Sequence, residues 1–242
     1  MTYIRDGHRY SAEEIKIVID KLKKLVFSKK KNRISLAVDM AHLEDAKKIL
    51  DIGSEVGALC GAIADRYPRA EAIYGLECNL DTLEIAKEFL EGGPVKFFHH
   101  NCGTLPFDDQ SFDRIFALEV LEHIRNIDIF LKEVFRVLQP NGLFVISVPN
   151  AMWWRALARN FILRPETYSK TMERWPAYTP DQRDHVNNFD FVHLYRILNL
   201  NGFLLEKLCY SDHKHTWLSS LPGLRKLSST LHISVRKNDS IH

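Results

Sequence analysis

"KKILDIGSEVGALC" spans residues 47–60. Ile49 and Leu50 form a short apolar run that ends on Asp51, and a turn follows with Gly53 and Gly57 on either side of Glu55. Beyond the turn, "VGALCGAIADRY" (56–67) reads as a helix that stops before Pro68. Strand, glycine turn and helix in this order build the ligand cradle of open α/β sheets, with the ligand outside the carboxyl end of the strand. The same alternation then repeats. "AIYGLE" (72–77), "VKFFHH" (95–100), "FDRIFALE" (112–119) and "LFVISVP" (143–149) read as strands. Residues 79–93 and 127–142 read as helices, the first closed by Gly92-Gly93 and the second by Pro140-Asn141-Gly142. Strands spaced this way imply βαβ units, a mostly parallel sheet and right-handed crossovers.

Upstream, Ser11 and Glu14 have capping-box spacing, and Ile15, Val18, Leu22 and Leu25 follow at helical intervals, so 11–27 reads as an amphipathic helix. A second helix is expected over 34–48. Downstream the alternation breaks: 151–184 carries several Arg, aromatic and Pro residues and reads as an insertion over the sheet. A helix over 189–202 and two runs at 203–210 and 231–237 restore the order, the last two as a closing hairpin. The expected division is N-terminal helices (1–46), a Rossmann-like cofactor-binding core (47–150), a lid or substrate insertion (151–186), and a C-terminal helix and strands that complete the sheet (187–242).

The 242 residues suit one α/β domain with appendages or two small domains, and a chain of this length buries a full core without staples. A formal charge of +2 gives no global field that would call for nucleic acid. The basic cluster from Lys21 to Arg33 reads first as a solvated helix end and linker. Cys60, Cys78, Cys102 and Cys209 form no C-x-x-C pair, and scattered thiols fit a reducing compartment. "MTYIRDGHRYSAEE" lacks the apolar core of a signal peptide, so a cytoplasmic location is expected, with no transmembrane segment; peripheral membrane contact stays open.

Glu55 separates the ligand classes. A dinucleotide calls for G-x-G-x-x-G, but the glycines here are 53, 57 and 61, and a carboxylate beside a pyrophosphate is repelled. A cationic ligand removes that conflict.

With Asp51, Gly53 and Gly57 in place, the chain resembles the class I S-adenosylmethionine-dependent methyltransferases, whose first motif is an acid, any residue, Gly, two or three small residues and Gly. The family's usual middle glycine is Glu55 here, costly if that position needs a positive φ. Further matches follow in order: Glu77 closing "IYGLECN", "HHNCGTLPFDDQSFDRIFALEVLEHI", "FLKEVFRVLQPNGLFVISVPN" and "HVNNFDFVHLYRILNLNGF". They cover about residues 45–150 and 185–210. The resemblance implies an α/β, Rossmann-like, doubly wound, mostly parallel seven-stranded sheet with helices on both faces and an antiparallel closing strand. Its cofactor is S-adenosyl-L-methionine, held by Asp51, Gly53, Ser54, Gly57, Glu77, Cys78, Asn101, Cys102 and Glu119. Glu77 would accept both ribose hydroxyls, and Asn101 replaces the usual acid at the adenine amino group, although a loop Asn also forms local turns.

"LEVLEHI" adds Glu119, Glu122 and His123. The string is similar to one in ubiquinone-biosynthesis O-methyltransferases, where such acids and His can hold a divalent metal; it is also widespread in relatives without one, so no metal is expected. His123 and His185 are the candidate general bases. The expected function is methyl transfer, O-methylation favoured, to a small-molecule or lipid- or glycan-precursor acceptor, with no nucleic-acid partner, in a monomer or homodimer. The alternatives are cofactor binding without turnover and, less favoured by the missing fingerprint, a nucleotide-dependent oxidoreductase.

Overall fold

A computed structural model describes residues 11–26, 32–101, 103–154, 185–212 and 224–238. The expected order of elements is present: α1 (Ala12–Val26), α2 (Arg33–Met40), β1 (Lys48–Ile52), α3 (Ala58–Arg66), β2 (Ala72–Glu77), α4 (Leu80–Phe89), β3 (Val95–His99), β4 (Phe112–Leu118), α5 (Ile127–Val137), β5 (Leu138–Pro149), α6 (Phe191–Leu200), β6 (Phe203–Ser211) and β7 (Thr230–Lys237). Their starts are set by short polar side chains that take up otherwise orphaned N–H groups. Ser11 and Glu14 form the reciprocal box on α1, at 2.8 and 3.3 Å. Asn32 and Ser35 do the same for α2, and Asn79, Asn126 and Asp190 cap α4, α5 and α6.

The 7-stranded sheet has the order β3-β2-β1-β4-β5-β7-β6. Pairing is parallel from β3 through β5, and β7 runs antiparallel to both β5 and β6. The closing strand is therefore reversed, as expected, and is inserted between β5 and β6. The order changes direction beside β1, so the carboxyl ends of β1 and β4 flank the switch point where such sheets bind ligands.

Alternate residues of each strand feed two cores, as the period of a strand dictates. Leu50, Ile52, Ile115, Ala117, Phe144 and Ile146 pack with Phe130, Leu131 and Val134 of α5 and Leu194 and Leu198 of α6. On the other face Ile49, Ile73, Phe116 and Val145 pack with Val18 and Leu22 of α1, Val38 of α2, Ile63 of α3 and Ile85 of α4. Both faces are covered, which explains why the central strands read as near-continuous apolar runs.

Two boundaries differ from the sequence expectation. The helix expected over 34–48 ends at Met40, followed by a 3-10 turn at Leu43–Asp45. Here Arg114 of β4 takes the departing carbonyls, Nε donating to Ala41 O at 2.6 Å and Nη2 to His42 O at 2.8 Å. Its neighbour Asp113 accepts the N–H groups of Lys47 and Lys48, so one dipeptide ends α2 and starts β1. The helix expected over 127–142 ends at Val137, because the fully buried Leu138 already pairs with Phe112 in the sheet. The Pro-Asn-Gly stop thus lies within β5, with Asn141 at φ 61°. Among the described residues no helix is long and apolar enough to cross a membrane.

Arg114→Ala removes the donors that hold Ala41 and His42 and leaves those carbonyls unpaired. Thermal unfolding should show a loss of about 1–3 kcal/mol, a drop in midpoint of several degrees.

Candidate cofactor and acceptor site

The turn after β1 is stitched to the end of β2. The N–H groups of Gly53 and Ser54 both donate to Leu76 O, at 2.8 and 2.9 Å. Glu77, 7% exposed, adds a side-chain tie: Oε2 accepts the Glu55 N–H at 2.8 Å and Oε1 accepts that of Asn79 at 2.8 Å. Each oxygen keeps a lone-pair direction for a ligand hydroxyl. Glu55 does adopt a left-handed conformation, φ 48°, between Gly53 at 72° and Gly57 at 77°. A side chain at Gly53 would also place its Cβ 2.5 Å from Val120 Cγ2. Glycine there serves the conformation and also the packing of the loop after β4.

Asp51, 2% exposed at the end of β1, is met by the thiol of Cys60 from the first turn of α3, Sγ to Oδ2 3.5 Å. Burial pushes its carboxyl up to about 8, and the carboxylates of Glu77 and Glu55 add to the rise, while Cys60 and Arg33 oppose it. Burial likewise raises the Cys60 thiol. Ser54 Oγ is buried with no hydrogen-bond partner among the described residues. Glu119 follows β4 in a left-handed conformation, φ 60°; its N–H donates to Ser147 O and its Oε1 accepts from Ser147 Oγ at 2.8 Å. Glu122 is 1% exposed, and burial with the charge of Glu119 holds its carboxyl well above the usual range.

Among the described residues a cation that meets these acids is Arg33, whose Nη1 lies 3.7 Å from Glu119 Oε2. It is the first residue of α2, and the capping box on Asn32 fixes where it leaves the chain. Sequence reasoning missed it: in "KKKNR" it reads as part of a solvated linker. Only the packing of α2 beside β5 brings it to the strand ends.

The other expected residues divide. Cys78 is exposed just past β2, with its carbonyl beside His99 Nε2 at 2.9 Å. Asn101 is exposed beyond β3, where its Oδ1 accepts the Gly103 N–H at 3.3 Å in a local turn. Cys102 lies outside the described residues, as does 155–184, most of the expected insertion. His123 and His185, 62 residues apart in sequence, come together with ring centroids 4.7 Å apart at 79°. The backbone explains the meeting. Val186 and Asn187 donate their N–H groups to Glu122 O, and Asn187 Nδ2 donates to Ile124 O at 2.6 Å. At the other foot of the insertion, Asn150 Nδ2 donates to Lys226 O and Ser228 O, and the Ala151 N–H donates to Phe189 O. The two feet stand at the carboxyl ends of β5 and β4.

Comparison with known proteins agrees with this architecture. Residues 50–146 match the family described as "Methyltransferase domain". The chain is 32% identical over 109 residues to a ubiquinone biosynthesis O-methyltransferase of Bradyrhizobium sp. (strain ORS 278), covering 44% of this chain and 41% of that protein. It is 32% identical over 114 residues to 24-methylenesterol C-methyltransferase 2 of Arabidopsis thaliana, covering 46% and 31%. The chain thus spans less than half the length of these curated relatives. A solved S-adenosylmethionine-dependent methyltransferase from Mesorhizobium loti superposes with a TM-score of 0.62 at 18% identity, over 84% of this chain and 96% of that one. Residues 50–146 are thus similar to the methyltransferase domain of S-adenosylmethionine-dependent methyltransferases, and the fold is that of the class I members.

Two outcomes follow from the turn. Glu55→Gly relieves the left-handed strain, about 1 kcal/mol offset in part by added freedom of the unfolded chain; its thermal midpoint should equal or exceed the parent's. Asp51, with a native pKa near 8 against the ordinary 3.8, binds its proton more tightly when folded. Its contribution to stability is full below pH 3.8 and is lost as pH rises through about 8. Asp51→Asn removes this dependence, so thermal scans across that range should show the variant gaining on the parent with rising pH, by on the order of a few kcal/mol at the alkaline end.

Proposed function

We propose that this class I methyltransferase moves the methyl group of S-adenosyl-L-methionine to an oxygen acceptor, a small molecule or a lipid- or glycan-linked precursor. The carrying observation is the charge at the glycine turn. Buried Asp51 is made still harder to ionise by the carboxylates of Glu77 and Glu55, and Arg33 opposes that rise and pairs with Glu119. Such a site repels a pyrophosphate and attracts a ligand that carries a sulfonium and an ammonium. The buried Ser54 Oγ and the remaining lone pairs of Glu77 are polar groups such a ligand would satisfy.

When bound, the cofactor supplies a methyl carbon already activated by its sulfonium. Asp51 then faces the ammonium end, Arg33 the carboxylate, and Glu77 the ribose hydroxyls. Gly53 and Gly57 let the backbone come close. Asn101 serves the adenine side, next to the loop that Glu133 and Arg136 fix through Leu105 and Phe107. Glu119 lines the methionine end. His123 and His185 stand where the insertion rejoins the sheet, and an acceptor hydroxyl held there gives its proton to one imidazole as its oxygen takes the methyl. Transfer requires the acceptor in line with the S–CH3 bond and water excluded, the task expected of the lid or substrate insertion, of which 155–184 lies outside the described residues. Relatives are named as C- and N-methyltransferases as well as O-methyltransferases; the two imidazoles support oxygen here, because a hydroxyl needs a base.

Calorimetry with S-adenosyl-L-methionine and its demethylated product tests the shared premise. Both should bind; Asp51→Ala and Glu77→Ala should weaken binding by roughly tenfold or more, about 1.4 kcal/mol, and Glu55→Gly should keep or tighten it. Ionisation of Asp51 by the cationic ligand should release a proton below pH 8, so the binding heat should vary with the ionisation enthalpy of the buffer. Absence of binding to either compound overturns the reading; binding without transfer of labelled methyl to any hydroxyl acceptor favours a cofactor-binding protein without turnover.

A further inference from the structure

We infer that Cys60 is a positioning residue for the cofactor: its thiol holds one oxygen of the Asp51 carboxyl from the α3 side, whichever charge that carboxyl carries, and leaves the other oxygen to the cationic ligand. The inference rests on the proposed cofactor site and adds to it a residue that touches Asp51, not the ligand.

The fold leaves this task to one side chain. Strand alternation turns Asp51 to the face of Ile49, which α3 covers, and away from the face of Leu50 and Ile52. Its partners on the neighbouring strands are Gly75 of β2 and Phe116 of β4, and neither offers a polar side-chain atom. Cys60 comes down from the first turn of α3, on the stripe that also buries Leu59 and Ile63. Its Sγ lies 3.5 Å from Asp51 Oδ2, and Oδ1 accepts no hydrogen bond among the described residues. An alanine or valine at 60 would suit the same apolar stripe, but it would leave the buried carboxyl without that partner.

A thiol suits a neighbour whose charge changes, because it is both a weak donor and a weak acceptor. While Asp51 holds its proton, the carboxyl O–H can donate to Sγ; once Asp51 is ionised, the S–H donates to Oδ2. The contact outlasts the proton, so the carboxylate stays aimed. Burial keeps the thiol itself protonated. The charged groups that face Asp51 are Glu77 of β2 and Glu55 of the glycine turn, which resist its ionisation, and Arg33 of α2, which favours it. Cys60 also favours the ionised form, and it does so by direct contact.

A second group at this turn points to the ligand. Ser54 is 4% exposed, and its Oγ has no hydrogen-bond partner among the described residues. It lies 2.9 Å from where a Cβ on Gly75, the residue paired with Asp51, would stand. An unfilled hydroxyl and an unfilled carboxyl oxygen thus meet at one cross-strand pair.

Below about pH 8 a cationic ligand displaces the Asp51 proton, so affinity rises with pH up to that point. Without the thiol the carboxylate loses a favourable hydrogen bond. The pH at which affinity levels off should then rise by roughly half a unit to one unit.

The test is calorimetry of the full chain with the demethylated cofactor, which keeps the ammonium that Asp51 faces, from about pH 6 to about pH 9. Cys60→Ala should lose roughly threefold to tenfold at the acid end and stay within about twofold at the alkaline end. Cys60→Ser keeps a donor and an acceptor and should return the parent's profile to within about twofold. Thermal midpoints report whether each variant is folded. A loss of equal size at every pH marks a packing role and overturns the inference, as does a parent-like profile for Cys60→Ala. Infrared spectra of the ligand-free chain form the second arm. The S–H band that Cys60→Ser removes should move to lower frequency as pH rises through about 8, and Asp51→Asn should abolish the movement. Cofactor binding with a static band sinks the inference alone. A titrating band without cofactor binding sinks the methyltransferase reading and leaves the hold of Cys60 on Asp51 intact.

Discussion

The hydrogen bond from the Glu55 N–H to the Glu77 carboxylate is the tie on which the site depends. It joins the turn after β1 to the end of β2 at the one residue whose backbone is least willing to be there. With the bonds from Gly53 and Ser54 to Leu76, it fixes where α3 begins and which way Asp51 and Ser54 face. A charge-assisted bond in a buried place is worth more than a neutral one, which is how a left-handed Glu is tolerated without glycine's freedom.

The same proximity gathers acids. Asp51, Glu55 and Glu77 stand at one end of the switch point, Glu119 and Glu122 at the other, with Arg33 reaching in between. Burial, with the neighbouring carboxylates adding to it, holds Asp51 and Glu122 toward their neutral forms. The site is therefore unfinished by its own charges. A sulfonium amino acid at the glycine turn would supply positive charge where the protein lacks it.

Both flanks of the insertion are anchored by an asparagine side chain. Its entry is pinned through Asn150 to the start of β7, and its exit through Asn187 to the turn after β4.

The sequence by itself determined the alternation of strands and helices, the mostly parallel sheet, the acids at the ends of β1, β2 and β4, and the class of ligand. Those features are local: period, caps and turn chemistry are written within a few residues, and the Glu in the glycine turn carries its sign wherever it folds. Boundaries were legible except where a distant side chain intervened. Arg114 of β4 ends α2, and the burial of Leu138 ends α5 before the Pro-Asn-Gly stop. Only the tertiary structure decided that Arg33, in what reads as a basic linker, enters the site, and that His123 and His185 meet across an insertion. Nothing near His185 in sequence specifies His123 as its neighbour. The carbonyl of Glu122 does so, by accepting the two N–H groups that follow His185, and such long-range pairing is set by chain closure over the sheet.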